Sequence, residues 1–340
     1  MDRTPEPLVI ARVIAGTEDE VREGMLHCPN LSCRREFPII DGIPIIVADV
    51  RTYVAQHLSD IRARSDLSAF TESVLGDCAG SGSDFDRARY QLSTSCRGHW
   101  GDQDPDEPAP REGRVVDLFE RALRLIGAKP TGLWVDAGCS VGRTTFELAA
   151  RTGELVLGLD LSFAMLRVAR AIADTGRVRH PIRRVGMVYD TRELELAVPH
   201  RDRVDFWACD ATALPLVDAA CSGVLSLNLL DCTHSPLAHV LELGRIVAPG
   251  GTAAIATPYD WSINATAVEG WLGGHSQRAD DHGSSVEALR RLLTDAAPAE
   301  ADARLRLTAE DEDVPWNVFV HERATMTYRV HLMIANRLAG

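Results

Sequence analysis

The stretch Leu133 to Leu148, LWVDAGCSVGRTTFEL, sets an apolar strand, an acidic residue, a glycine turn and a helix in that order. That order predicts an α/β unit meeting a ligand at the end of its first strand. Glycine at 138 and 142 lets the backbone approach the ligand, and the first turn of the helix offers unpaired N–H groups. The spacing D-x-G-x-x-x-G departs from the G-x-G-x-x-G of dinucleotide sites. An acidic side chain at position 136 would repel a pyrophosphate and attract a cation, such as a sulfonium with its amino-acid tail. The expected ligand is S-adenosylmethionine (SAM), held by Asp136, Gly138, Cys139, Ser140 and Gly142.

Strand and helix signals alternate from Gly132 onward, which predicts a largely parallel sheet. Strands are expected at 132–137, 154–160, 203–209, 222–228 and 251–257, with helices at 143–152, 162–174, 235–247 and 284–294. Two more strands fall near 303–309 and 326–336, the last antiparallel in the usual seven-stranded methyltransferase topology. The expected fold class is thus α/β, a Rossmann-like sheet at 115–340 that is of the class I methyltransferase kind if its ligand is SAM, with a small β-rich unit at 1–50 and a helical connector at 51–114. Within the connector, apolar spacing predicts one amphipathic helix over Tyr53 to Leu75, and an acidic, proline-rich run, DQDPDEPAPREG, precedes a helix over Val115 to Gly127.

Ligands of open α/β sheets lie beyond the carboxyl ends of the strands, so the strand ends supply the candidate site. Asp160, followed by Leu161, can accept both ribose hydroxyls, although an Asp capping the next helix reads equally well. Asp210 can accept from the adenine amino group while the backbone N–H of Ala211 donates to the ring. A dehydrogenase does not need this third carboxylate, so Asp136, Asp160 and Asp210 together favour SAM over NAD. Asn228 and Asp231 follow the fourth strand, and Tyr259, Asp260 and Trp261 the fifth.

These segments carry a resemblance. DAGCSVGRTTFELA, NLLD with the following S-P, PGG, A-T-P-Y-D-W and W-L-G-G resemble the C-terminal methyltransferase domain of ovothiol-forming sulfoxide synthases, and more distantly carnosine N-methyltransferases. The likeness runs from about Tyr90 to Arg337, without that family's large iron-dependent synthase domain. It implies methylation of a ring nitrogen in an imidazole or histidine-like small molecule. Near the N-terminus, CPNLSCRREFPIIDGIPIIV resembles the closing half of the zinc-ribbon-like adaptor of some tRNA and protein methyltransferases. Its cysteines, Cys28 and Cys33, are spaced by four residues rather than two, and with His27 they fall short of four zinc ligands, so a degenerate ribbon without metal is expected.

A neutral imidazole nitrogen has its own lone pair, so Asn228, Asp231 or Tyr259 need only orient the acceptor. Asp231 or His321 would serve if an N–H proton must leave. Trp261, Trp316 and Arg323 are expected around the acceptor, with Trp100 and Trp271 as aromatic lids, plain core packing being the alternative for the tryptophans. Other readings are O- or C-methyl transfer, or a non-catalytic SAM-binding protein that docks a partner.

The net charge of −13 argues against nucleic acid or an anionic membrane as partner, and the basic run Arg177 to Arg184 reads as a solvated loop. No segment carries eighteen uninterrupted apolar residues, and the N-terminus lacks the build of a secretory signal. Eight scattered cysteines suit reduced thiols in a cytoplasmic protein. A homodimer contact or partner docking through the N-terminal unit is the remaining expectation.

Overall fold

A computed structural model describes residues 6–106, 112–127, 130–279, 282–294 and 303–338. Its first four strands, β1 (Val9–Gly16), β2 (Val21–His27), β3 (Glu36–Ile40) and β4 (Ile43–Pro44), form an antiparallel sheet in chain order. The β3–β4 turn puts Asp41 at φ 54° and Gly42 at φ 75°, the twist that a two-residue hairpin demands of both its central residues. A strand over Leu8 to Ala15 and a hairpin turning at Asp41-Gly42 are expected from the sequence and correspond to β1, β3 and β4, whereas β2 has no expected counterpart. From this sheet the chain passes directly to the main one. Ile45 bridges Ala208, and the Ile46 N–H donates to the Ala208 carbonyl at 2.9 Å.

The single helix expected over Tyr53 to Leu75 is three: α1 (Val50–Gln56), α2 (Leu58–Ile61) and α3 (Ala69–Ala79). Local polar contacts break it, with Arg64 paired in a fork to Asp66 at 2.8 Å and Ser68 capping a new helix by accepting from Thr71 N. α4 (Asp84–Trp100) follows, capped by Ser83. The acidic connector lies partly outside the described residues. α5 (Val115–Ile126) then ends at Gly127 in the left-handed conformation.

The alternation beyond Gly132 holds: β5 (Trp134–Ala137), α6 (Arg143–Thr152), β6 (Val156–Asp160), α7 (Phe163–Thr175), β7 (Arg177–Val185), β8 (Val188–Glu195), β9 (Val204–Ala208), β10 (Cys221–Leu227), α8 (Pro236–Ile246), β11 (Val247–Thr257), α9 (Ser285–Leu292), β12 (Leu305–His321) and β13 (Ala324–Arg337). The seven-stranded sheet runs β9-β6-β5-β10-β11-β13-β12. β13 is antiparallel to both neighbours, as expected, and β12 and β13 are a hairpin of 17- and 14-residue strands that outreaches the sheet. The basic run at 177–184 is not a loop but the first strand of the β7–β8 hairpin, because Val178, His180 and Ile182 alternate inward at 1–3% exposure while the arginines point out.

Alternate strand residues feed two cores. One, under α4 to α7, holds Phe146, Phe163, Phe206 and Trp100, and Ile43, Ile45 and Val47 of the N-terminal segment join it. The other, under α8 and α9, holds Val135, Leu157, Val224, Leu243 and Leu289. Each such side chain contributes about 1.5–3 kcal/mol when fully buried. No helix among the described residues is long and apolar enough to cross a membrane.

Candidate functional site

β5 ends in Asp136, 1% exposed, and the chain then turns through Gly138 at φ 79°, Ser140 at φ 51° and Gly142 at φ 83° before α6 begins. The two glycines answer separate needs. A Cβ at 138 would stand 3.0 Å from the Leu229 side chain, and one at 142 would stand 3.0 Å from the Phe206 ring. The Asp136 carboxylate accepts the hydroxyls of Thr144 at 2.7 Å and Thr145 at 2.6 Å. Burial pushes its pKa up to about 6 against those hydrogen bonds, so it is ionised at neutral pH.

The turn is braced from outside the sheet. Trp100 is fully buried and donates from Nε1 to the Val141 carbonyl at 3.2 Å. Arg143 lies over the Trp100 ring, pairs with Asp102 at 2.7 Å and donates to the His99 carbonyl at 2.9 Å. Trp100 is therefore a core brace rather than a lid.

A cavity of about 220 Å³ opens over the turn, walled by Asp136, Gly138, Ser140 and Thr144, by Leu227 and Asn228 from β10, by Thr94, Ser95, Gly98 and His99 of α4, by Val115, and by Trp316, Asn317 and Val318 of β12. Three residues of this wall carry a buried polar atom, Thr94 Oγ1, His99 Nδ1 and Asn228 Oδ1, without a hydrogen-bond partner among the described residues. Burial and the nearby Arg143 charge press the His99 imidazole down to about 3, so the ring is neutral. Asn228 holds the left-handed conformation at φ 58°, which suits asparagine, and its N–H donates to Ala256 O at 2.8 Å.

The other expected residues are distributed more widely. Asp160 Oδ2 accepts from Ser140 N at 2.9 Å and Oδ1 from Ser162 N at 2.8 Å, which ties the glycine turn to the end of β6. Leu161 is exposed beside it, and its carbonyl accepts the Tyr53 hydroxyl at 2.9 Å. Asp210 accepts from Thr212 N at 2.8 Å, and the Ala211 carbonyl lies 3.0 Å from His239 Nδ1. The Cys139 side chain is fully buried, which leaves only its backbone for the turn.

Tyr259 is turned away from the cavity. Its φ is 56°, it packs against the core under α8 and α9, and its hydroxyl meets His331 Nδ1 at 2.8 Å. His331 Nε2 meets Glu310 at 3.0 Å, and Glu310 is held by Arg290 at 3.0 Å. A carboxylate can only accept, so Nε2 donates and Nδ1 receives the tyrosine proton. Trp261 and Trp271 stack on each other at 6.2 Å and bond to Ser285 and to the Thr266 carbonyl, so they close that second core. Asp231 is 3% exposed and accepts from Asp260 N at 2.7 Å, joining the loops after β10 and β11. His321 and Arg323 stand at the β12–β13 turn, where the Arg323 N–H donates to His321 Nδ1 at 3.2 Å and the neighbouring Glu322 N–H reaches Arg184 O of β7. Of the expected aromatic wall, Trp316 alone lines the cavity, stacked on Tyr328 at 5.3 Å.

Sequence reasoning missed Thr94, Ser95, Gly98 and His99. Their signal was the Ser83 cap followed by a helical run ending in small residues beside a histidine. Among the described residues no three His, Cys, Asp or Glu side chains gather as a metal site, and Cys28 and Cys33 are both free.

The turn, the buried carboxylate and the three unpartnered atoms fit an amphoteric, cationic ligand such as SAM. Residues 135–255 match the family model described as a methyltransferase domain. Methyltransferase GfsG of Streptomyces halstedii is 30% identical over 201 residues, covering 56% of this chain and 62% of the relative. An O-methyltransferase of Pyrenophora dematioidea is 22% identical over 205 residues, covering 58% and 65%. The chain thus spans less than two thirds of the length of either curated relative. Among solved structures, a geranyl diphosphate methyltransferase in complex with SAM is similar at 17% identity and a TM-score of 0.42, over 65% of this chain and 85% of the other. Residues 135–255 are thus similar to a methyltransferase domain and lie on an α/β, Rossmann-like sheet, and the cofactor is S-adenosylmethionine.

Proposed function

We propose that the chain transfers the methyl group of SAM to a small molecule. The observation that carries this reading is that three residues walling one cavity over the Gly138–Gly142 turn, Thr94, His99 and Asn228, each keep a buried polar atom without a partner among the described residues. Buried polar groups without partners are rare, and three around one space favour a polar occupant. In this proposal Asp136, Gly138, Ser140, Gly142 and the Cys139 backbone hold the amino-acid end of the cofactor. Asp160, Leu161, Asp210 and Ala211, at the ends of β6 and β9, hold the nucleoside. When bound, the cofactor supplies an activated methyl group on a cationic sulfur. Asn228 orients the acceptor, while Leu227, Val115 and Trp316 exclude water from it. Positioning of this kind supplies on the order of 7–11 kcal/mol of a barrier.

The favoured acceptor is a ring nitrogen of an imidazole-like compound. Such a nitrogen needs no strong base, and Asp136, the carboxylate that walls the cavity, already accepts two threonine hydroxyls. A second reading is O-methyl transfer. It is favoured by the relative named an O-methyltransferase and by the neutral His99, whose unpartnered Nδ1 can accept a hydrogen bond from an acceptor hydroxyl, although a ring pressed down to about 3 is too weak a base to take the proton itself.

The test is labelled SAM with a panel of histidine derivatives, thiohistidines, carnosine and phenols. Label on the imidazoles supports the first acceptor. Label on phenols alone, lost in His99→Asn, supports the second. Failure to bind SAM in calorimetry would sink the enzyme reading altogether.

A further inference from the structure

A second cavity, of about 500 Å³, lies between α3, α4, α7 and β7, apart from the cofactor turn. Its volume is in the range of about 300–1,000 Å³ typical of small-molecule pockets. Leu67, Leu92, Val168 and Val178 give it an apolar wall. The same wall carries four carboxylates (Asp60, Glu72, Asp84, Glu193) and five guanidiniums; Asp60 lies 3.6 Å from His57 Nδ1, and among the described residues each of the others except Arg89 has an opposite charge within 4.0 Å.

Arg89 is 8% exposed. Its guanidinium lies over the Phe85 ring at 5.0 Å and the Tyr189 ring at 4.2 Å, and Nη1 donates to the Glu72 carbonyl at 3.4 Å. Nε has no partner, and among the described residues no carboxylate pairs with this cation. A Cβ on Gly76 would meet Arg89 Nη2 at 2.4 Å, so glycine at that place lets α3 close over the guanidinium. A buried cation without a counter-ion is destabilising, whereas a guanidinium fixed against aromatic faces keeps its N–H edge set for a carboxylate.

We propose that this cavity binds a small amphipathic carboxylate, with its hydrocarbon body along Leu67, Leu92, Val168 and Val178 and its carboxylate on Arg89. The proposal does not depend on the methyl-transfer reading. Leu92 stands on α4 three residues before Ser95 and seven before His99 of the cofactor cavity, so the two sites share a helix but no lining residue.

The test uses decanoate and decanol, each below its aggregation threshold, in calorimetry on the full chain. Decanoate is expected to bind at least tenfold more tightly than decanol. Arg89→Met removes that preference and leaves decanol-level binding. Arg89→Lys, which keeps the charge but loses the fork, weakens decanoate about tenfold and serves if the methionine variant fails to fold. Leu92→Trp fills the cavity and abolishes both ligands. SAM binding, measured in parallel, reports that each variant is folded. Equal binding of the two probes, no binding of decanoate at millimolar concentration, or decanoate binding unchanged in Leu92→Trp would overturn the proposal.

Discussion

Asp136 is 1% exposed, accepts two hydroxyls and has a pKa raised to about 6 from 3.8. Between those values the folded chain binds a proton that the unfolded chain has released. Its contribution to stability is therefore greatest below about pH 4 and falls as pH rises through about 6, by roughly 3 kcal/mol. Asp136→Asn is expected to flatten that slope in urea melts between pH 4 and 7, while weakening SAM binding. An unchanged slope would mean that the carboxylate is not held as described. Tyr259→Phe makes the opposite separation. It strands His331 Nδ1 inside the second core and should cost about 1–3 kcal/mol of stability, with SAM affinity unchanged by calorimetry. At this scale the sequence was informative where a side chain sits within a few residues of the turn it serves. Asp136, Ser140 and Asn228 could be placed from local spacing alone. Tyr259 could be assigned to a strand end but not to a sheet face, because a left-handed backbone at φ 56° redirects it.

Among the elements, β7 shows how composition can hide periodicity. Its arginines at 177, 179, 183 and 184 suggested a solvated loop, yet the residues between them alternate into the core. Two substitutions on this strand test the register. Ile182→Ser is expected to cost about 2–4 kcal/mol, since Ile182 is 1% exposed, whereas Val185→Ser, at 53% exposure, should stay within about 0.5 kcal/mol. Equal losses in chemical denaturation would place the strand out of register. α4 was illegible for another reason. Thr94 and His99 become site residues only because Trp100 anchors the helix end against Val141, a contact across 41 residues that no local pattern encodes. The β12–β13 strands were foreseen at their sheet-bound ends, but their extension beyond the sheet, which brings Trp316 to the cavity, depends on packing against α4 and α5.

For the molecule as a whole, the N-terminal segment and the seven-stranded sheet share one hydrophobic core. Ile43 and Ile45 are fully buried with Trp100 and Phe206, and the Ile45–Ala208 bridge sits at the open edge of β9. Deleting residues 1–49 should therefore lower the melting temperature by more than about 10 °C, since it strips several buried side chains and uncovers a strand edge. A truncated chain that melts like the whole would show that the segment folds apart. The sequence suggested a separate ribbon because its turn signals are local, whereas the residue that receives it lies 163 positions later (208 − 45). That interval also has a consequence in time. At roughly 5–20 residues per second, Ile45 is added to the chain about 8–33 s before Ala208. Trp316, which completes the cofactor cavity, arrives later still. The apolar strands before Ile45 therefore wait for the strand edge that receives the segment, and production should respond to translation speed and chaperone supply.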